Sequence, residues 1–194
     1  MEICTRSDGI RIIQIRSKSD ALPYRASMTG AYQTVFADHP YNERFYPSEA
    51  EAVLYQTLQS PENITFLAIK GETRVVGFGF AVPVSSRPEI ARQLRGLIPI
   101  KNSFYLAELG VLESFRRRGL GKQLTALRLQ HINKDLYTHA VLRISVQSHH
   151  ASQMYHSMNF EDMGVYSEIS SRRINGSVRT DRRLFLSRLL EESN

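Results

Sequence analysis

The stretch Val111-Leu-Glu-Ser-Phe-Arg-Arg-Arg-Gly-Leu-Gly-Lys-Gln-Leu124 decides how the rest of the chain is read. A β-like apolar start runs into a basic cluster and then into glycines that open an amphipathic helix. The first amides of a helix lack intrahelical acceptors and carry partial positive charge, so they suit a phosphate. Glycine at 119 and 121 removes Cβ atoms that would hold an anion away from the backbone. Three arginines at a helix start oppose the macrodipole unless an anion lies between them and the helix. A phosphate-bearing ligand is therefore expected. Gly119-Leu-Gly121-Lys122-Gln123 lacks the long inter-glycine gap and the Ser/Thr of a P-loop, and the third glycine of a dinucleotide fingerprint.

The chain has 194 residues, 42% of them hydrophobic, which fits a single domain over 1–194 with a real core. A formal net charge of +6 suits an anionic partner: a nucleotide cofactor, an acidic substrate or nucleic acid. Nucleic acid is not expected, because the arginines are scattered rather than interleaved with aromatics or placed on a recognition helix. Cys4 is the single cysteine, so no intrachain disulfide can form, and no Cys/His grouping has zinc-ligand spacing. No metal is expected. No apolar run reaches membrane-span length and no leader pattern opens the chain, so a reduced cytoplasmic protein with no membrane partner is expected.

Hydrophobic alternation predicts strands over 10–16, 64–70, 74–84, 104–112, 140–146, 162–170 and 178–190, with hairpin turns at Gly71-Glu72-Thr73 and Asn175-Gly176. Helices are expected over 21–36 behind Ser19 and Asp20, from a capping box at Ser48–Glu51 to Leu58, over 88–97, over 119–133 and over 151–158. Gly77 and Gly79 leave one face of their strand bare, which predicts close approach of another element there. The order gives an α/β architecture, a mixed central sheet of about seven strands with helices on both faces. Consecutive closing strands argue against a Rossmann fold.

With these elements around it, Arg116-x-x-Gly119-x-Gly121 resembles the acyl-CoA pyrophosphate signature of the GNAT superfamily of N-acetyltransferases. A strand runs straight into the motif, and Ala151-x-x-Met154-Tyr155-x-x-x-Asn159-Phe160 resembles the family's helix that ends in Tyr-x-x-x-Gly-Phe. The resemblance implies acetyl-CoA as co-substrate. Arg116, Arg117, Arg118, Gly119, Leu120, Gly121 and Lys122 would lie around its pyrophosphate, and Leu109, Gly110 and Val111 would pair with the pantetheine arm. It implies direct attack of a primary amine on the thioester, with a backbone amide of that strand holding the oxyanion. Tyr155 would protonate the departing thiolate; a phenol with pKa near ~10 keeps its proton at neutral pH.

Glu108 is the best-placed carboxylate for general base, since an acid inside a strand must face a cleft or pair with a cation; a water chain, or an acceptor that arrives neutral and needs no base, are the alternatives. Where some family members carry a glutamate on the next strand, this chain has Arg143. Two departures stand out. Ser148 replaces an asparagine that contacts the CoA arm, and Asn159 replaces the glycine that ends the tyrosine helix, a substitution a left-handed turn tolerates.

His149-His150 is read as a loop pair without a special role, and Arg172, Arg173, Arg179, Arg182 and Arg183 as a solvated strand face. The acceptor, a small-molecule amine or a peptide or protein amine, would be shaped by segments 36–47 and 84–103. In the first of these, Glu43 is the acidic candidate. A homodimer through the closing strands is left open. The rival reading is a non-catalytic acyl-CoA-binding sensor of the same fold.

Overall fold

Alternation along the strands separates two hydrophobic layers, and these fix the architecture. The computed structural model describes residues 1–190. Its strands are β1 (Glu2–Thr5), β2 (Ile10–Ile15), β3 (Ile64–Lys70), β4 (Arg74–Pro83), β5 (Ser103–Val111), β6 (His139–Ser145), β7 (Glu161–Arg172) and β8 (Val178–Leu189). Its helices are α1 (Lys18–Ala21), α2 (Arg25–Ala37), α3 (Pro47–Gln59), α4 (Pro88–Leu94), α5 (Leu120–His131) and α6 (His149–His156). The strands form one sheet in the order β1-β2-β3-β4-β5-β6-β8-β7. All neighbours are antiparallel except β5 and β6.

On β3, Ile64, Phe66 and Ala68 join the layer that contains Leu120 and Leu124 of α5 and Tyr155 of α6. The intervening Leu67 and Ile69 join the opposite layer with Tyr32, Val35 and Phe36 of α2 and Leu54 of α3. Burying each such large apolar side chain contributes about 1.5–3 kcal/mol. The bare face of β4 receives α5. A Cβ on Gly77 would lie 3.3 Å from Leu120 and 3.4 Å from Leu124, and one on Gly79 would lie 3.1 Å from Arg128.

Several boundaries differ from the sequence expectation. There are eight strands rather than about seven, because Glu2–Thr5 pairs with β2. The first helix begins at Lys18, with Ser17 as N-cap and Asp20 closing the capping box. Pro23 sits in a short 3₁₀ turn before α2 begins at Arg25. Pro47 opens α3, and the Glu49 carboxylate accepts from the Tyr46 amide at 2.7 Å, so the box lies two residues before Ser48–Glu51. His149 and His150 form the first, exposed turn of α6 rather than a loop.

The sheet opens at its centre. β5 pairs with β6 only through Ser103↔His139, Phe104↔Ala140 and Tyr105↔Val141. Along β4 the register steps from Phe80↔Glu108 to Val82↔Tyr105, which inserts one extra residue on β5. Such a bulge bends its strand. Beyond Tyr105 the β6-facing edge of β5 has no strand partner, while its other edge stays bonded to β4 as far as Val111.

Candidate active site

At the end of β5 the chain turns through a short 3₁₀ segment, Glu113–Phe115, into the basic loop. Arg117 (φ 60) and Gly119 (φ 77) are both left-handed, and Gly119 is the N-cap of α5. The Gly119 carbonyl already accepts from the Gln123 amide at 2.9 Å, yet the amides of residues 117–122 find no backbone acceptor among the described residues. Successive free amides in a left-handed turn at a helix start make an anion-binding concavity. The loop is braced from outside: Arg6 donates to the Arg118 carbonyl at 2.7 Å and also bonds Gln123. Arg116 turns back instead, donating to the Val111 carbonyl and to Asp38, each at 2.9 Å. Gly121 lies against Met154 of α6 and against Leu109 and Val111 of β5, so the loop, the free strand edge and the tyrosine helix converge. Lys122 reaches Ser157 at 3.4 Å, and Ser148 is the N-cap of α6.

Within the opening between β5 and β6 lies a cavity of about 90 Å³, lined among others by Leu109, Glu108, Arg143, Ala151 and Tyr155. Tyr155 stands on α6 with its ring edge-on to Phe160, centroids 5.5 Å apart. Asn159 takes the left-handed turn (φ 60) that ends the helix and brings Phe160 into the core. Burial raises the Tyr155 pKa above its ordinary value, against the opposing pull of the Arg128 charge and of contacts with Arg128 and Thr125. The phenol therefore keeps its proton at neutral pH. Glu108 faces the same cavity. Its carboxyl is pushed up to about 7 by burial, although Arg183, Arg143 and Arg87 pull it down.

Arg128 was not singled out by sequence reading. It is fully buried with no ion-pair partner among the described residues. Its guanidinium donates to the carbonyls of Phe80 at 3.2 Å and Glu108 at 3.0 Å, and to the Thr125 hydroxyl at 3.0 Å. It thus pins the two strands at the register pair beside the bulge. Buried charge is costly unless its donors are bonded, and with Nε donating to the Leu124 carbonyl at 3.3 Å each guanidinium nitrogen has an acceptor. The available signal was an arginine four residues after Leu124 on the α5 stripe, facing the bare Gly79.

A second cavity of about 320 Å³ adjoins the first and shares Phe36, Glu108, Arg143 and Arg183 with it. It lies beneath the loop between α2 and α3 and the face of the β7–β8 hairpin. Two expectations are corrected here. Glu43 is not free to meet an amine, because it is buried and ion-paired with Arg183 of β8. The arginines of the closing hairpin do not all lie on a solvated face, because Arg173 is buried and Arg172 and Arg183 line this cavity. The contact that turns Arg183 inward joins residues 140 apart in sequence, which no local pattern announces.

Comparison with known proteins agrees with this geometry. Residues 84–174 match the family model described as an acetyltransferase (GNAT) domain. The whole fold is similar to the ribosomal-protein-S18-alanine N-acetyltransferase from Escherichia coli (12% identity, 95% of this chain and 96% of that one, TM-score 0.61). It is also similar to yncA of Salmonella typhimurium, a putative acetyltransferase solved with acetyl-CoA (13% identity, 95% and 96%, TM-score 0.64). A third similar structure is Arabidopsis thaliana NAA60 with a bisubstrate analogue (17% identity, 94% and 99%, TM-score 0.61). No curated protein matches. Residues 84–174 thus match a GNAT acetyltransferase domain, and the chain as a whole shares the fold of these acetyltransferase structures.

Proposed function

We propose that this protein is an N-acetyltransferase that moves the acetyl group of acetyl-CoA to a primary amine by direct attack. The observation that carries the reading is one cavity holding both Glu108, with a pKa of about 7, and Tyr155, with a raised pKa, beside a strand edge that has no partner. The free amides of residues 117–122, with Arg117, Arg118 and Lys122 around them, suit the pyrophosphate. Arg116 serves the same loop indirectly, by tying it to Val111 and Asp38. The open edge at Leu109, Gly110 and Val111 suits the pantetheine arm, with Ser148 at the start of the tyrosine helix.

Glu108 takes a proton from the acceptor ammonium. The amine lone pair then bonds to the thioester carbonyl carbon, and the carbonyl electrons move onto oxygen, where a β5 amide holds them. Collapse of the tetrahedral intermediate breaks the C–S bond and Tyr155 donates its proton to the leaving thiolate; the nitrogen then gives up its second proton, which restores the Tyr155 phenol, and Glu108 releases its proton to solvent. The product is an amide plus free CoA thiol.

The test mixes the protein with acetyl-CoA and a panel of primary amines and follows thiol release together with product mass. Tyr155→Phe is expected to lower kcat about 100-fold, within the range of general acid catalysis, while calorimetry finds acetyl-CoA bound as in the parent. Equal turnover in the variant would remove Tyr155 from the mechanism. Tight binding of acetyl-CoA with no amine-dependent release would instead favour the sensor reading.

A further inference from the structure

The acceptor cavity carries more positive charge than an enzyme for a simple alkylamine needs. Its acidic groups are already engaged or enclosed: Glu43 pairs with Arg183, Glu49 lies 3.7 Å from Arg172, and Glu108 faces the acyl slot. Arg143 has no carboxylate partner among the described residues. Its one side-chain hydrogen bond runs to the Ser167 hydroxyl at 3.4 Å.

Arg143 and Arg183 sit on neighbouring strands. Arg143 pairs with Phe185 and Ser145 with Arg183, so the two arginines are diagonal neighbours on one sheet face. Ser171 lies on that face too, because Ser167 opposes Arg183 and the alternation continues through Ile169 to Ser171. Two of these residues hold buried polar atoms with no hydrogen-bond partner, Arg183 Nε and Ser171 Oγ, and both residues line this cavity. A buried donor left unmet is costly, so its presence points to what the site takes.

We propose that the acceptor is a small primary amine bearing a carboxylate, of the amino-acid type, with that carboxylate held by Arg143, Arg183 Nε and the Ser171 hydroxyl. The proposal rests on the acetyltransferase reading above. A carboxylate supplies acceptor lone pairs for a guanidinium and a hydroxyl at once. It also relieves the repulsion between the two guanidiniums. The amine end then points toward Glu108, which borders both cavities. A volume of about 320 Å³ suits a ligand of this size. A carboxylate on the acyl donor would be the other source of the same chemistry. Ser171 lines the acceptor cavity and not the acyl slot, which favours the acceptor.

The test compares α-amino acids with their carboxamides as acceptors of acetyl-CoA, in the parent and in Arg143→Gln. The acids are expected to exceed the amides in kcat/KM by roughly 10- to 100-fold, the ratio of a charge-assisted hydrogen bond, mainly through KM. Arg143→Gln is expected to collapse that ratio toward unity with acetyl-CoA affinity retained. Amides that serve as well as acids would overturn the proposal. So would an Arg143→Gln variant that loses use of succinyl-CoA while keeping the acid preference, since the carboxylate would then belong to the acyl group.

Calorimetry of N-acetyl amino acids against N-acetyl amino acid amides, in the presence of CoA, reads the same site without turnover. Preferential binding of the acids, lost in Arg143→Gln, is expected, and equal binding of both would sink the proposal. Failure of acetyl-CoA to bind would bring down the acetyltransferase reading separately, and the acid-against-amide binding comparison would still decide this one.

Discussion

Glu108 gives the molecule two pH dependences of opposite sense. As the proposed base it would work only when ionised, so kcat/KM is expected to rise with pH through about 7 and then level off. In Glu108→Gln that limb disappears and the rate drops about 10²- to 10⁴-fold. Stability moves the other way. The folded state keeps the Glu108 proton up to about 7, while the unfolded chain releases it near the ordinary value of 4.5. Between those values the folded state binds more protons, so this residue's contribution falls as pH rises through the window. Urea unfolding of parent and Glu108→Gln across that window is expected to show a smaller loss of stability with rising pH in the variant. The cause is one of position. Glu108 sits beside the bulge, under α2, where Arg183 and Arg143 only partly offset its burial.

At the scale of elements, β5 is built so that backbone and aromatic rings touch. A Cβ on Gly110 would lie 2.2 Å from the Phe78 ring, and Phe78 is fully buried, stacked on Tyr32 and tilted against Phe80. Gly110→Ala is therefore expected to cost roughly 1–3 kcal/mol by overpacking. It is also expected to lower kcat more than acetyl-CoA affinity, because β5 must shift where the proposed oxyanion contact lies. Gly121→Ala is the control: its Cβ would meet Met154 at an ordinary 3.6 Å, so thermal unfolding should change little. Much of this layer was legible in the sequence. Alternation marked β2, β3, β4 and β8, and the bare Gly77 and Gly79 announced the approach of α5. β1 was not legible because it has only four half-exposed residues. The first cap was misplaced because Ser17 and Ser19 offer the same chemistry two residues apart. The anion loop was readable because its residues are contiguous. The larger cavity was not, because Arg143, Ser171 and Arg183 meet only once the sheet is assembled.

For the whole molecule, closure depends on fastening the β7–β8 hairpin to the loop between α2 and α3. The backbone contributes Arg44 N–H to the Arg172 carbonyl at 2.8 Å and Ile174 N–H to the Asn42 carbonyl at 3.2 Å. The side chains contribute the Glu43–Arg183 pair, with Glu43 only 4% exposed. Exchanging such a pair for apolar groups is often neutral, but removing one partner strands the other, at about 3–5 kcal/mol for a fully buried case. Arg183 keeps a little exposure, so Glu43→Gln should fall at or below the lower end of that range. Because the stranded guanidinium is the source of the loss, Arg183→Gln combined with Glu43→Gln is expected to recover part of it. The coupling in a double-mutant cycle would then be clearly non-additive. Hydrogen exchange locates the effect: amides of residues 41–45 and 172–174 should lose protection in Glu43→Gln, while those of β3 and β4 keep theirs. Additive losses with unchanged exchange at 41–45 would mean that the backbone bonds alone hold the hairpin down. The proposed acceptor cavity would then keep its shape without the ion pair that lines it.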